Sequence, residues 1–176
     1  MKANKYIAAF SFFLLTLSGS AQVCKAPEIP AEYNWTTQEE YRASKDDIEK
    51  CLKWLCTTPY GLEVVKRSEI NAYVMTWIAG NPEINVNLDA KYFPFLQENQ
   101  ELLFTMIHAM AYYQLNHPNE KSQDKIYLKG LETICVLANQ SEELKKAKYL
   151  KALLKADKKK ELKAYLEELL SKSTKK

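Results

Sequence analysis

The residues with the widest chemical reach in this chain are four cysteines and two histidines. Cys51 and Cys56 lie five positions apart in "KCLKWLCTTPYG", residues 50–61. C-x₄-C is neither the C-x-x-C of thiol oxidoreductases nor a common zinc half-site. On one helix the two α-carbons would stand roughly 8–9 Å apart, beyond disulfide reach. They pair with each other only if the helix ends before Cys56. In an oxidising compartment an even cysteine count permits two disulfides in any of three connectivities. Cys24, Cys51, Cys56 and Cys135 are therefore the candidate disulfide residues. Cys24 is placed to staple an extended arm to the first helix. Cys135 lies on an apolar helix face and equally suits a buried free thiol.

His108 is the second point of interest. It shares a polar strip with Glu101, Thr105 and Tyr112, at steps of three or four along an otherwise apolar segment. Such a strip can line a cleft. His117 falls in "NHPN" and is expected at the surface. No H-E-x-x-H, H-x-x-x-H or D-x-D pattern supplies a metal-ligand set. Four glycines, at 19, 61, 80 and 130, are too scattered to build a phosphate-cradling loop. No catalytic residue, metal site or cofactor is assigned.

The elements that must carry these residues are helical. Thr36-Thr37-Gln38-Glu39-Glu40 holds two overlapping T-x-x-E capping boxes. The helix they open places Tyr41, Ile48, Leu52 and Leu55 on one stripe. Pro59 and Gly61 end it. Residues 62–79 put Ile70, Tyr73, Val74, Trp77 and Ile78 on one face, and "GNP" at 80–82 closes the segment. Ile84, Val86 and Leu88 alternate with polar residues, which predicts an extended connection. Residues 99–115 are apolar around most of their circumference and predict a central helix. Residues 122–138 carry Tyr127, Leu128, Leu131, Ile134 and Cys135 on one face. Two further helices follow Ser141. About six helices joined by short connections predict an all-α, single compact domain. Trp54 and Trp77 read as core aromatics, and Trp35 as a staple against the first helix.

The N-terminus predicts export. Lys2 and Lys5 precede an apolar run at 6–17, and Gly19 and Ala21 are the small residues of a cleavage site. The expected organisation is a signal peptide at 1–21 and one α-helical domain at 22–176, the latter beginning with an extended arm at 22–35. Cys24 would suit a lipoprotein anchor, but Val23 is too large for the residue before it. A periplasmic or secreted location without lipidation follows. The apolar run is too short to span a bilayer, and no later segment is long enough.

Charge is uneven. Residues 141–176 hold twelve lysines against six acidic residues. With a total of +3, and Lys2 and Lys5 in the leader, residues 22–140 carry a net −5. The basic C-terminal helical pair suits a solvated face or an anionic surface. Nucleic acid is disfavoured by export and by the lack of arginines among these lysines.

The "SAQ" exit at 20–22, "CLKWL" at 51–55 with its Thr-Pro end, and "MTWIAGNP" at 75–82 resemble small secreted α-helical proteins of Bacteroidota. The resemblance implies export and an all-α fold and carries over no functional residue. The expected function is a non-catalytic exported domain that binds another envelope component, a protein or an anionic surface. The alternatives are an enzyme with dispersed residues around His108, and a basic module contacting membrane or polysaccharide.

Overall fold

A computed structural model describes residues 25–89 and 91–173. The expected leader and Cys24 lie outside the described residues. The chain is all-helical: α1 (Gln38–Ala43), α2 (Lys45–Thr57), α3 (Val64–Gly80), α4 (Gln100–Asn116), α5 (Gln123–Ala138), α6 (Glu142–Lys146), α7 (Lys151–Lys158) and α8 (Leu162–Ser173). Short 3₁₀ turns at Pro94–Gln97 and Lys148–Leu150 precede α4 and α7.

The expected first helix is two. Thr37 caps α1 through a complete capping box with Glu40, whose carboxylate also accepts from the Thr36 amide and hydroxyl. Those hydrogen bonds hold the Glu40 carboxyl below its ordinary pKa. The break comes at Ser44, whose hydroxyl turns back onto the carbonyls of Glu40 and Tyr41 and also meets a side chain from another helix. The Trp77 indole Nε1–H, arriving from α3, donates to Ser44 Oγ at 2.9 Å and approaches the Tyr41 carbonyl at 3.2 Å. A side chain inserted at a helix backbone interrupts the regular ladder. The apolar stripe survives the break: Ile48, Leu52 and Leu55 are buried, and Tyr41 is half-buried against Trp77. The region after Ser141 divides similarly, into α6, a 3₁₀ turn, α7 and α8. Between α7 and α8, Lys160 takes a left-handed φ of 61°. Its amide bonds Asp157 O, and the Glu161 amide bonds Ala156 O, the pairing that ends helices in a Schellman motif.

Pro59 and Gly61 stop α2 as expected. Gly61 has φ 82°, a conformation costly for a side chain with a β-carbon. Residues 83–89 form no ladder, yet their backbone is not left bare. The Gln114 amide brackets Asn85, accepting from its N–H and donating to its carbonyl, both at 3.1 Å, and Tyr127 OH donates to Asn87 O. Side chains from α4 and α5 thus replace the missing partner strand.

α4 is the central helix. Leu102, Met106 and Met110 enter one apolar cluster with α5, α7 and α8, and Ala111 and Leu115 enter a second with α2 and α3. Burying each large side chain in these clusters stabilises the fold by about 1.5–3 kcal/mol. The α4–α5 crossing is close because Gly130 has no β-carbon. One added there would run into the thioether of fully buried Met106. The arm before α1 lies over the second cluster, with Trp35 5.2 Å from the Tyr73 ring and 5.9 Å from Tyr41.

No disulfide joins the three cysteines among the described residues, and a pairing with Cys24 lies outside them. Cys51, Cys56 and Cys135 are free and buried. Cys51 belongs to the cluster with α3, whereas Cys135 belongs to the cluster with the C-terminal helices, so the intervening core keeps them apart.

Candidate functional site

A cavity of about 270 Å³ opens where the end of α2, the start of α3 and the start of α4 converge. α3 contributes Val64, Arg67, Ser68 and Asn71; α4 contributes Glu101, Phe104, Thr105 and His108. Both sets recur at steps of three or four, so each helix presents one face to the cavity. Leu55 and Tyr60 supply the third wall.

Arg67 organises this corner. Its Nη1 and Nη2 donate to the carbonyls of Leu55, Thr58 and Pro59, groups freed by the end of α2. Its guanidinium also lies over the Trp54 and Tyr60 rings, 5.4 and 5.7 Å from their centroids. Tyr60 OH shares a 2.8 Å hydrogen bond with Thr105 Oγ1, which ties the turn to α4. Phe104 stacks on the imidazole of His108 at 6.3 Å with 21° between the planes.

Three buried side-chain atoms among the described residues have no hydrogen-bond partner within the protein: Arg67 Nε, Asn71 Oδ1 and His108 Nε2. All three residues line this one cavity. Buried polar groups are nearly always satisfied by protein or ordered water, so three residues that each hold such an atom single out this cavity. His108 is only 3 % exposed.

Burial holds the imidazole of His108 and the thiol of Cys56 in their neutral forms. Burial, reinforced by the Arg67 charge, pushes His108 down to about 3, so its imidazole is neutral at physiological pH. A general base works best with a pKa near the operating pH. Burial pushes the Cys56 thiol up to about 12 against the opposing pull of Arg67, which leaves it protonated. Burial likewise raises the Tyr60 phenol. Among the described residues no cluster of three or more histidine, cysteine or acidic side chains could hold a metal ion.

The polar strip is brought together in part. Glu101, Thr105 and His108 line the cavity. Tyr112 does not, because the strip curves with the helix and carries it onto the α2–α3 cluster. His117 is exposed and stacks on Tyr113. Arg67, Asn71, Tyr60 and Phe104 were not legible as site residues. The signal that could have found the first two is the i, i+4 spacing of an arginine and an asparagine beside the apolar face of α3, Arg67 being one of two arginines in the chain.

A second cavity of about 250 Å³ lies near the other end of α4, among Arg42, Glu83, Gln114 and His117. Its polar groups largely satisfy one another: Arg42 and Gln38 both donate to Glu83, Asn81 Oδ1 accepts from the Glu83 amide, and Gln114 is held by Asn85. It leaves nothing comparable unpaired.

No family model, curated protein or solved structure matches the chain.

Proposed function

We propose that this protein is an exported, non-catalytic binding domain of the cell envelope, and that the cleft between α2, α3 and α4 is where it contacts its ligand. The observation that carries the reading is that all three residues holding an unpartnered buried polar atom line one cavity. Export rests on the charged, apolar and small-residue pattern of residues 1–21. The competing reading, an enzyme centred on His108, draws on the presence of His108 and Glu101 in the same cleft. It is disfavoured by a neutral imidazole held far below the working range of a general base. The basic C-terminal face is the third reading. Several of its lysines are paired with glutamates of the same segment, as in Lys145–Glu142 and Lys172–Glu168, which suits a solvated surface.

The test is a thermal-shift screen of small envelope-derived molecules against wild type and Ser68→Trp. Ser68 is exposed and lines the cavity mouth, so a tryptophan there blocks entry without touching the core. A ligand that binds only the native state raises the melting temperature, by about 2.7 kcal/mol of stabilisation at a hundredfold excess over Kd. Loss of that rise in Ser68→Trp is the expected result. A ligand whose effect is untouched by the substitution would place binding elsewhere. Cell fractionation tests export independently.

A further inference from the structure

The three unpartnered atoms differ in what they need, and that difference defines a ligand. Arg67 Nε–H only donates, Asn71 Oδ1 only accepts, and the neutral His108 imidazole offers one ring nitrogen for either role. The remaining guanidinium nitrogens are already committed to the carbonyls of Leu55, Thr58 and Pro59, so Arg67 presents one donor rather than a bidentate fork. Glu101 stands at the same cleft, and its negative charge acts on Arg67. A second anion would meet its repulsion. Apolar wall comes from Leu55, Val64 and the face of Phe104.

Resting on the binding reading above, we infer that the cleft recognises a neutral carboxamide: its carbonyl accepts from Arg67 Nε–H, its N–H donates to Asn71 Oδ1, and His108 Nε2 meets a further polar group beside it. The substituent next to the amide packs against Leu55, Val64 and Phe104. A peptide bond and the acetamido group of an N-acetylated amino sugar share this chemistry. Turning the Asn71 amide by 180° would offer Nδ2 instead and make a set of donors suited to a carboxylate. Glu101 argues against that arrangement, and the carboxylate probe below decides it.

The experiment uses the full chain, ¹⁵N-labelled, and follows the ring-nitrogen resonances of its two histidines. His117, exposed and outside this cleft, is the internal reference. One arm compares N-methylisovaleramide with methyl isovalerate, which lacks the N–H, and with isovalerate, which carries the charge. The other compares N-acetylglucosamine with glucose. At an ordinary efficiency of about 0.3–0.5 kcal/mol per non-hydrogen atom, ligands this small bind in about the millimolar range. The amide is expected to shift His108 and not His117, and to bind roughly tenfold more tightly than the ester, whose lost N–H leaves Asn71 unpaired. The two arms show which amide source fits better. Asn71→Leu should remove the preference for amide over ester. Should that variant fold poorly, Ser68→Trp must abolish the His108 shift. Isovalerate binding as tightly as the amide overturns the carboxamide assignment and leaves the cleft as a binding site. No His108 shift with either amide also overturns it, and the cleft itself falls only if the thermal-shift screen is blank as well.

Discussion

The Arg67 guanidinium lies 5.4 Å from the centroid of the Trp54 ring, so a cation on α3 covers an indole near the end of α2. The same guanidinium bonds the Leu55 carbonyl in the last turn of α2 and the Thr58 and Pro59 carbonyls just beyond it. Lysine keeps the charge but is a single ammonium without a planar fork, and it cannot serve both stacking and three carbonyls. Arg67→Lys should destabilise the fold by roughly 1–3 kcal/mol. A lowered urea midpoint with an unchanged m-value is the expected outcome. An unaltered midpoint would show that the α2 end needs no such cap.

His108 makes stability depend on pH. Its folded pKa, about 3, lies below the ordinary value of about 6.5. Below pH 6.5 the unfolded chain takes up a proton that the folded chain refuses. The contribution of the neutral, buried imidazole is therefore complete above pH 6.5 and shrinks as pH falls toward 3. By pH 5 the loss amounts to about 2 kcal/mol. Urea titrations between pH 7.5 and 5 should show this fall in wild type and a smaller one in His108→Gln. Equal slopes in the two proteins would place the acid sensitivity elsewhere.

The three described thiols should be silent in the folded state. Burial pushes Cys51 up to about 11, and Cys56 and Cys135 up to about 12. Thiolate is the reactive form, so none of the three should react with iodoacetamide at pH 8 until the protein unfolds. In denaturant without reductant, all three should label. A thiol count below three under those conditions would mean that Cys24 has captured one of them.

Gly130 and Met106 should be energetically coupled. Gly130→Ala gains about 1 kcal/mol of helix propensity. It also pushes a methyl into the thioether end of fully buried Met106, which must swing aside within the core. Overpacking of that kind costs about 1–3 kcal/mol. The net effect should be destabilising, and Met106→Ala, which is itself destabilising, should relieve the Gly130→Ala penalty in a double-mutant cycle. Additive effects would show that α4 and α5 part easily.

Helix existence and most stop signals were written locally. The Thr37–Glu40 box, the Pro59–Gly61 stop and the buried face of Ile70, Tyr73, Val74, Trp77 and Ile78 are all present where spacing placed them. The Trp77 indole that bonds Ser44 at the split was not legible, because it comes from thirty-three positions away. Half of the candidate site followed the same division. Glu101, Thr105 and His108 share a helix face, so their grouping needed only a period of 3.6 residues.

The amino-acid sequence by itself determined that this protein is helical, that α4 is apolar enough to sit at its centre, and that Glu101 and His108 fall on one strip. Those are properties of short-range spacing, set by backbone geometry and side-chain solubility. Only the tertiary structure decided that Arg67 and Asn71 of α3 face that strip, that Tyr112 leaves it, and that Cys51 and Cys135 occupy separate clusters. The physical reason is that periodicity fixes the face on which a residue lies but not what packs against that face. That depends on where other helices cross, as at Gly130 and Met106, where one absent β-carbon lets α5 approach α4.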